Sequence, residues 1–259
     1  MRLCVQVTLA GYFFNRFGRV NFFAFGAFMK KCNWSILIPT LNEGGTLQEL
    51  LNGIYSLGLS DFEVLLLDGG STDDSRDIFL HFKKKYSSIY WLDACGGKSS
   101  ALRVGFAKAN GAHIAFMDAD MQYLPSDLPK LIDSMHIGND LVITKRRLVN
   151  GNKKNSSFRR ALSLVYSQIV CKKGLSIPFD DPQSGMKAIN SNLLKKMNLR
   201  SRGWELDTEL ILQALSLGAK IDEVEIGFYP REHGRTKTSV FGTSSSLFFS
   251  ALKTRLNKK

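Results

Sequence analysis

No stretch of this chain runs for the roughly 18 apolar residues that a membrane-crossing helix requires, so no transmembrane helix is expected. The nearest approach, LCVQVTLAGYFF followed by NFFAFGAF, is broken by Asn15, Arg16, Arg19 and Asn21. Cysteine is scarce and scattered, at Cys4, Cys32, Cys95 and Cys171. That spacing offers neither the CxxC pairs of a zinc site nor a disulfide framework, and it fits a reducing, cytoplasmic setting. Internal repeats and low-complexity linkers are missing, and so is any recognised nucleic-acid-binding motif. A phosphate-binding loop of the GxxxxGK type is absent as well: CGGKSS has its final glycine at Gly97, but Leu92 stands five residues earlier, where that loop needs a glycine.

What is present is enough apolar residue for one substantial core: 259 residues, 44% of them hydrophobic, the size of one large α/β domain with appendages. Lys and Arg number 35 against 23 Asp and Glu, a formal charge of +12. The partner is therefore anionic: nucleic acid, a phosphorylated small molecule or an anionic membrane. Residues 1–30 read as an N-terminal extension, either an aromatic-rich anchor lying on a membrane surface or sequence upstream of a start at Met29. Residues 31–240 form the expected catalytic domain, and 241–259 a basic amphipathic tail.

From Trp34 onward, strand-like and helix-like segments alternate. SILIPT is a strand, 46–57 a helix, FEVLLLD a strand, 76–86 a helix with Ser71 and Thr72 as candidate caps, SIYWLDA a strand, 98–109 a helix and HIAFMDA a fourth strand. This alternation predicts a doubly wound, mainly parallel sheet of Rossmann-like type, in which ligands gather at the C-terminal strand ends. Those ends carry residues 39–43, 68–73 and 118–122. Further on, DLVITKRR and KIDEVEIGFYP read as strands, and 157–173 and 206–217 as helices.

The stretch AFMDADMQY stops an apolar strand on two acids, Asp118 and Asp120. In a strand, residues i and i+2 share a face, so the two acids are expected to project together, with Gln122 following if the strand geometry persists. Three oxygen-bearing side chains suit a hard divalent cation that completes its shell with phosphate oxygens and water. Taken alone, a DxD is equally a solvated turn.

In context, the chain resembles family 2 glycosyltransferases of the GT-A fold, and within them the dolichyl-phosphate mannose synthase and polyprenyl-phosphate glycosyltransferase branch. The resemblance rests on IPTLNE (38–43), LDGGSTDDS (67–75), GGKSSALRVGFAKANG (96–111), DADMQ (118–122), DDPQSGMKAI (180–189), GWELDTEL (203–210) and REHGRTK (231–237). It implies that Asp118, Asp120 and Gln122 hold Mg2+ or Mn2+ with the donor's diphosphate. Pro39, Asn42, Glu43, Asp68, Lys98, Asp118, Ala119 and Asp120 would line the nucleotide-sugar site. Arg146, Arg159, Arg231 and Lys237 would receive the acceptor's phosphate, and Asp118, Asp120, Arg231 and Lys237 would carry catalysis. Glu209 matches a family acid. The family often has two acids before the glycine of its second motif, where this chain has Asp68 alone before Gly69.

The implied reaction is inverting transfer of mannose or glucose from GDP-mannose, UDP-glucose or a similar donor to dolichyl or polyprenyl phosphate. It would take place at the cytoplasmic face of a membrane, with a separate anchoring or flippase partner. Amphipathic patterns agree with a membrane surface: Phe158, Ala161, Leu162, Val165 and Ile169 share a helical face, and Phe248, Leu252 and Leu256 repeat beside Lys253, Arg255, Lys258 and Lys259. Two other readings remain open: a soluble family 2 enzyme acting on a saccharide or protein, and a non-enzymatic basic protein that binds nucleotides or nucleic acid. The Gln-x-x-Arg-Trp motif of processive polysaccharide synthases is absent.

Overall fold

The computed structural model describes residues 32–149, 175, 177–201, 203 and 205–229. Within them one sheet contains β1 (Cys32–Thr40), β2 (Phe62–Asp68), β3 (Ile89–Asp93), β4 (Gly111–Phe116), β5 (Leu141–Leu148), β6 (Lys187–Asn190) and β7 (Ile221–Phe228). The strand order is β3-β2-β1-β4-β6-β5-β7. All neighbours are parallel except β6, which runs antiparallel to both β4 and β5, with Phe116 opposite Lys187 and Ile143 opposite Lys187. The described helices are α1 (Gly44–Ser56), α2 (Ser75–Lys85), α3 (Lys98–Lys108), α4 (Leu128–His136), α5 (Ser191–Lys195) and α6 (Glu205–Ser216). The mixed α/β architecture with a mainly parallel sheet is the expected one.

Local composition accounts for these elements. FEVLLLD is buried at every position but the first, as befits an inner parallel strand covered on both faces. In α1, Leu47, Leu50, Leu51 and Ile54 are buried at three- and four-residue spacing, each contributing about 1.5–3 kcal/mol through burial. On α3, Gly105 lies so close to the sheet that a Cβ would stand 2.7 Å from Leu67 Cδ1 and 2.9 Å from Leu37 Cδ1. A side chain there would push the helix, and the Lys98 end with it, off the sheet.

Three local expectations change. β4 ends at Phe116, three residues before the predicted limit, with Met117 N making one more bond to Leu37 O at 3.1 Å. Asp118 and Asp120 therefore stand in a bent loop, and strand alternation does not align them. Second, α2 begins at Ser75, and neither Ser71 nor Thr72 caps it. Asp73 Oδ1 instead accepts from Ser75 N at 3.1 Å, while Ser71 bonds Asp68 and Asn42. Third, α4, which has no counterpart among the expected elements, buries Leu128, Leu131, Ile132 and Met135 behind a 3-10 turn at Pro125–Asp127.

Cys32 is a free, buried thiol, whereas Cys95 is disulfide-bonded, a pairing that the cysteine spacing does not suggest. No described helix is long and apolar enough to cross a membrane. The N-terminal extension, the 157–173 helix and the basic tail lie outside the described residues.

The chain leaves β1 toward β2 on one side, and β4 lies on the other. Such a switch in winding direction opens a crevice beyond the strand ends, the usual ligand position in open α/β sheets. The loops after β1 and β4 border it. Pro39 fits β1 because the ladder to β4 has stopped by then: the last paired residues are Leu37 and Phe116, so its missing N–H removes no ladder bond on that side.

Candidate active site

The loop after β4 is pinned at almost every residue. Ala119, only 3% exposed, offers its carbonyl to Thr46 Oγ1 of α1 at 2.7 Å, so this predicted donor contact also ties the loop to the core. Asp120 is buried, and its Oδ1 accepts from Gln122 N at 3.1 Å, an Asx-type turn that Met121 completes at φ 58°. Gln122 is held against the end of β7: its carbonyl accepts from Tyr229 N at 3.0 Å, and its Nε2 donates to Tyr229 O at 3.4 Å. Tyr123 is buried with its hydroxyl accepting from Gly185 N at 2.7 Å. Burial raises the Tyr123 pKa well above the ordinary phenol value, so the group stays neutral. Tyr123 and Gly185 were not singled out by sequence reading, although both fall inside or beside quoted motifs.

Asp118 faces differently from Asp120. Its Oδ1 pairs with Lys98 Nζ, each side chain 28% exposed. A Cβ built on Gly185 would fall well inside van der Waals distance of Asp118 Oδ2, so only glycine leaves room for this carboxylate. Lys98 opens α3 directly behind Gly96 (φ 106°) and Gly97 (φ 88°), conformations that glycine adopts without strain. Burial alone would lower the Lys98 pKa, but Asp118 and Asp207 more than offset it and hold the ammonium above the ordinary lysine value.

Asp207, on the first turn of α6, accepts from Lys187 Nζ at 2.6 Å. Lys187 is fully buried, also donates to the Ser184 carbonyl, and lies 5.8 Å from the centre of the Phe116 ring. Burial pushes its pKa down, and Asp207 resists. The resemblance points to Glu209 in this helix. The structure gives Glu209 a backbone role, accepting from Arg200 N at 3.0 Å and Ser201 N at 2.9 Å, and it is Asp207, two residues earlier, that joins the buried charges. The available signal was Lys187 itself, a lysine leading the apolar run of β6 that needs an acid partner.

On the other flank, Arg146 makes a bidentate pair with Asp181, Nε–Oδ2 2.6 Å and Nη2–Oδ1 2.8 Å, and its guanidinium lies 5.1 Å from the Phe228 ring centre. Glu223 Oε1 accepts from the backbone N–H groups of Asp180 and Asp181 at 2.8 and 3.0 Å. Lys145 pairs with Asp180 at 2.5 Å. Asp181 thus takes the Nε–Nη2 edge of Arg146 and fixes the plane of its guanidinium.

The loops after β1 and β2 interlock. Asp68 accepts from Gly70 N, Ser71 N and Ser71 Oγ at 3.1, 3.0 and 2.6 Å. Asn42, at φ 50°, accepts from Thr72 N at 2.7 Å and gives its own N–H to Ser71 Oγ at 2.9 Å. The N–H of Glu43 goes to Ser75 Oγ at 3.2 Å, and that of Gly44 to Asp73 Oδ2 at 2.8 Å. Burial opposes it, but hydrogen bonds from Ser75 and Gly44 keep the Asp73 pKa below the ordinary carboxylate value. Asp68 and Asn42 therefore shape this wall of the crevice through its turns. Arg159, Arg231 and Lys237 lie outside the described residues.

By residue type, the loop offers oxygen donors of the kind a hard divalent ion takes: the Asp118 and Asp120 carboxylates and the Gln122 amide oxygen, which is left over when Nε2 bonds Tyr229. Among the described residues no cluster of three or more acid, His or Cys side chains converges, so a shell here would draw on Gln122, phosphate oxygens and water.

Comparison with known proteins agrees with this layout. The family description "Glycosyl transferase family 2" matches residues 35–197. A dolichol-phosphate mannosyltransferase of Pyrococcus furiosus is 30% identical over 78% of this chain and 58% of its own length. An undecaprenyl-phosphate 4-deoxy-4-formamido-L-arabinose transferase of Aeromonas hydrophila is 30% identical over 78% of this chain and 62% of its own. The chain thus spans about three-fifths of the length of these curated relatives. Among solved structures, the glucosyl-3-phosphoglycerate synthase of Mycobacterium tuberculosis, in complex with Mn2+, UDP and phosphoglyceric acid, superposes with a TM-score of 0.67 at 23% identity, covering 86% of this chain and 78% of that one. That likeness establishes the fold. With the family match covering well over half its length and the GT-A architecture around the Asp118–Lys98 crevice, the chain belongs to glycosyl transferase family 2.

Proposed function

We propose that the protein transfers a hexosyl group, mannose or glucose, from a nucleoside-diphosphate sugar to dolichyl or polyprenyl phosphate with inversion at the anomeric carbon. The observation that carries this reading is the pairing of Asp118 with Lys98 at the switch-point crevice, with Asp120 two residues on in the same loop and the Arg146–Asp181 pair on the flank. The names of the two curated relatives, both transferases to a lipid phosphate, support the acceptor class.

Asp118, Asp120 and Gln122 are the residues to hold Mg2+ or Mn2+, which when bound would neutralise the diphosphate's charge. Pro39, Asn42, Glu43, Asp68 and Ala119 form the donor wall, and Lys98 adds a positive charge beside the diphosphate. A phosphate oxygen of the acceptor forms the new bond to the anomeric carbon. The bond to the diphosphate oxygen breaks, and its electron pair leaves with the nucleotide. That nucleophile is already anionic near neutral pH, so little proton abstraction is required. The work of the chain is positioning and charge: Arg146 on the described flank, with Arg159, Arg231 and Lys237 as further phosphate ligands. Amphipathic patterns at 158–169 and 248–256 would bring the crevice to the cytoplasmic face of the membrane, alongside an anchoring or flippase partner.

Incubation of the full chain with a panel of labelled GDP- and UDP-sugars and polyprenyl phosphate vesicles tests the proposal. Labelled lipid that requires a divalent ion is the expected result. Transfer to free saccharides or protein, with none to the lipid, would overturn it.

A further inference from the structure

The Asp118 carboxylate is hemmed in on both sides. Oδ1 is paired with the ammonium of Lys98, and Oδ2 abuts Gly185 at a spot where even a methyl group would not fit. The pair is also fixed from both ends. Lys98 projects from the first residue of α3, which Ser99 Oγ ties to Gly203 O at 2.5 Å. Asp118 sits in the loop that Thr46, Tyr229 and Gly185 hold in place. The other acid within electrostatic reach of Lys98, Asp207, is bonded at 2.6 Å to the fully buried Lys187. Lys98 therefore has no second uncommitted carboxylate among these residues to turn to when Asp118 is taken away.

A divalent ion approaching Asp118 alone must displace this ammonium and leave it beside a dication. A diphosphate arriving with the ion changes the balance, because its oxygens offer Lys98 a new anion and relieve the repulsion. We infer that Lys98 is an exchangeable counter-ion: it occupies Asp118 until the donor's diphosphate draws it off and frees the carboxylate for the metal. The inference rests on the proposed metal role of Asp118 and Asp120 and adds an order to it. Metal alone binds weakly, metal and nucleotide bind with positive coupling, and by linkage the coupling is the same in either direction. The arrangement would keep the crevice from filling with stray divalent ions between turnovers.

The test is titration of the full chain with Mn2+, free ion being read by electron paramagnetic resonance, with and without GDP or UDP. Lys98→Gln is expected to bind Mn2+ alone about five- to tenfold more tightly than wild type, the span of a modest coupling energy. The gain in Mn2+ affinity brought by nucleotide should shrink by a similar factor, while Lys98→Arg behaves as wild type. Lys98→Met carries the same test should the Gln variant melt early. Equal affinities of Lys98→Gln and wild type for Mn2+ alone, or an unchanged nucleotide gain, would overturn the inference. Asp120→Asn separates the two claims: its loss of Mn2+ binding with nucleotide present upholds the metal site whatever Lys98 does. Retention of full Mn2+ binding by Asp120→Asn would remove the metal site and the inference together.

Discussion

Replacing Asp207 by Asn removes the charge partner of a lysine that is fully buried, and the consequence follows from the surroundings of Lys187. The variant leaves its ammonium with the Ser184 carbonyl and the face of Phe116. Breaking one side of a buried ion pair costs about 3–5 kcal/mol. In a domain of this size that is a fall in Tm of roughly 6–20 °C. The cost has a pH signature. Burial already lowers the Lys187 pKa in the folded protein, so the folded state holds fewer protons than the unfolded state between that lowered value and about 10.4, the ordinary lysine value. Stability contributed by this group therefore rises with pH across that window. Losing Asp207 deepens the depression and widens the window downward, so the deficit should be full at low pH and should narrow as the pH is raised. Urea unfolding at a series of pH values, with midpoint and slope fitted separately, measures it. A double replacement, Lys187→Met with Asp207→Leu, should recover to within about 1 kcal/mol of wild type or better, because apolar packing substitutes for a buried pair. An Asp207→Asn protein within about 0.5 kcal/mol of wild type, the scatter of surface changes, would refute the reasoning, as would a deficit independent of pH.

Gly185→Ala introduces a methyl group against Asp118 Oδ2 and Tyr123 Cε2; displacement of the carboxylate by about 1 Å should lower kcat for lipid transfer roughly a hundredfold, with Mn2+ affinity in the presence of nucleotide falling in parallel. Tyr123→Phe leaves the buried Gly185 N–H without its acceptor and should cost about 1–3 kcal/mol in urea unfolding.

Legibility in the sequence followed the strength of local patterning. FEVLLLD, DLVITKRR and the helices opened by Lys98 and Glu205 were readable because long apolar runs and helical spacing survive into the fold. β6 and α5, of four and five residues, carry too few positions for a period to show. β4 was read too long because MDA continues its apolar character, while the chain turns away at Asp118 for tertiary reasons, the bonds from Thr46 and Tyr229. At the site, residue types at motif positions were legible, and partnerships were not. The family resemblance puts Asp118 and Lys98 in one donor site, but their direct pairing, like that of Arg146 with Asp181, joins segments 20 and 35 residues apart. Glu209 and Asp207 stand two residues apart in one helix, and only their long-range partners tell them apart.

The reversed direction of β6 has a consequence for how mutations must be tolerated here. Carrying the antiparallel register two residues past Phe116 and Lys187 sets Asp118 across from Gly185, beyond the end of the ladder itself. A slip of one residue between β4 and β6 would bring Ser184 or Met186 to that place, and would turn Lys187 from Asp207 to the opposite face of the sheet. The one glycine that fits the carboxylate and the one lysine that needs the α6 acid are thus checked by a single alignment. A misregistered chain would lose its buried ion pair and its crevice together, so correct pairing of a four-residue strand acts as proofreading for the site during folding.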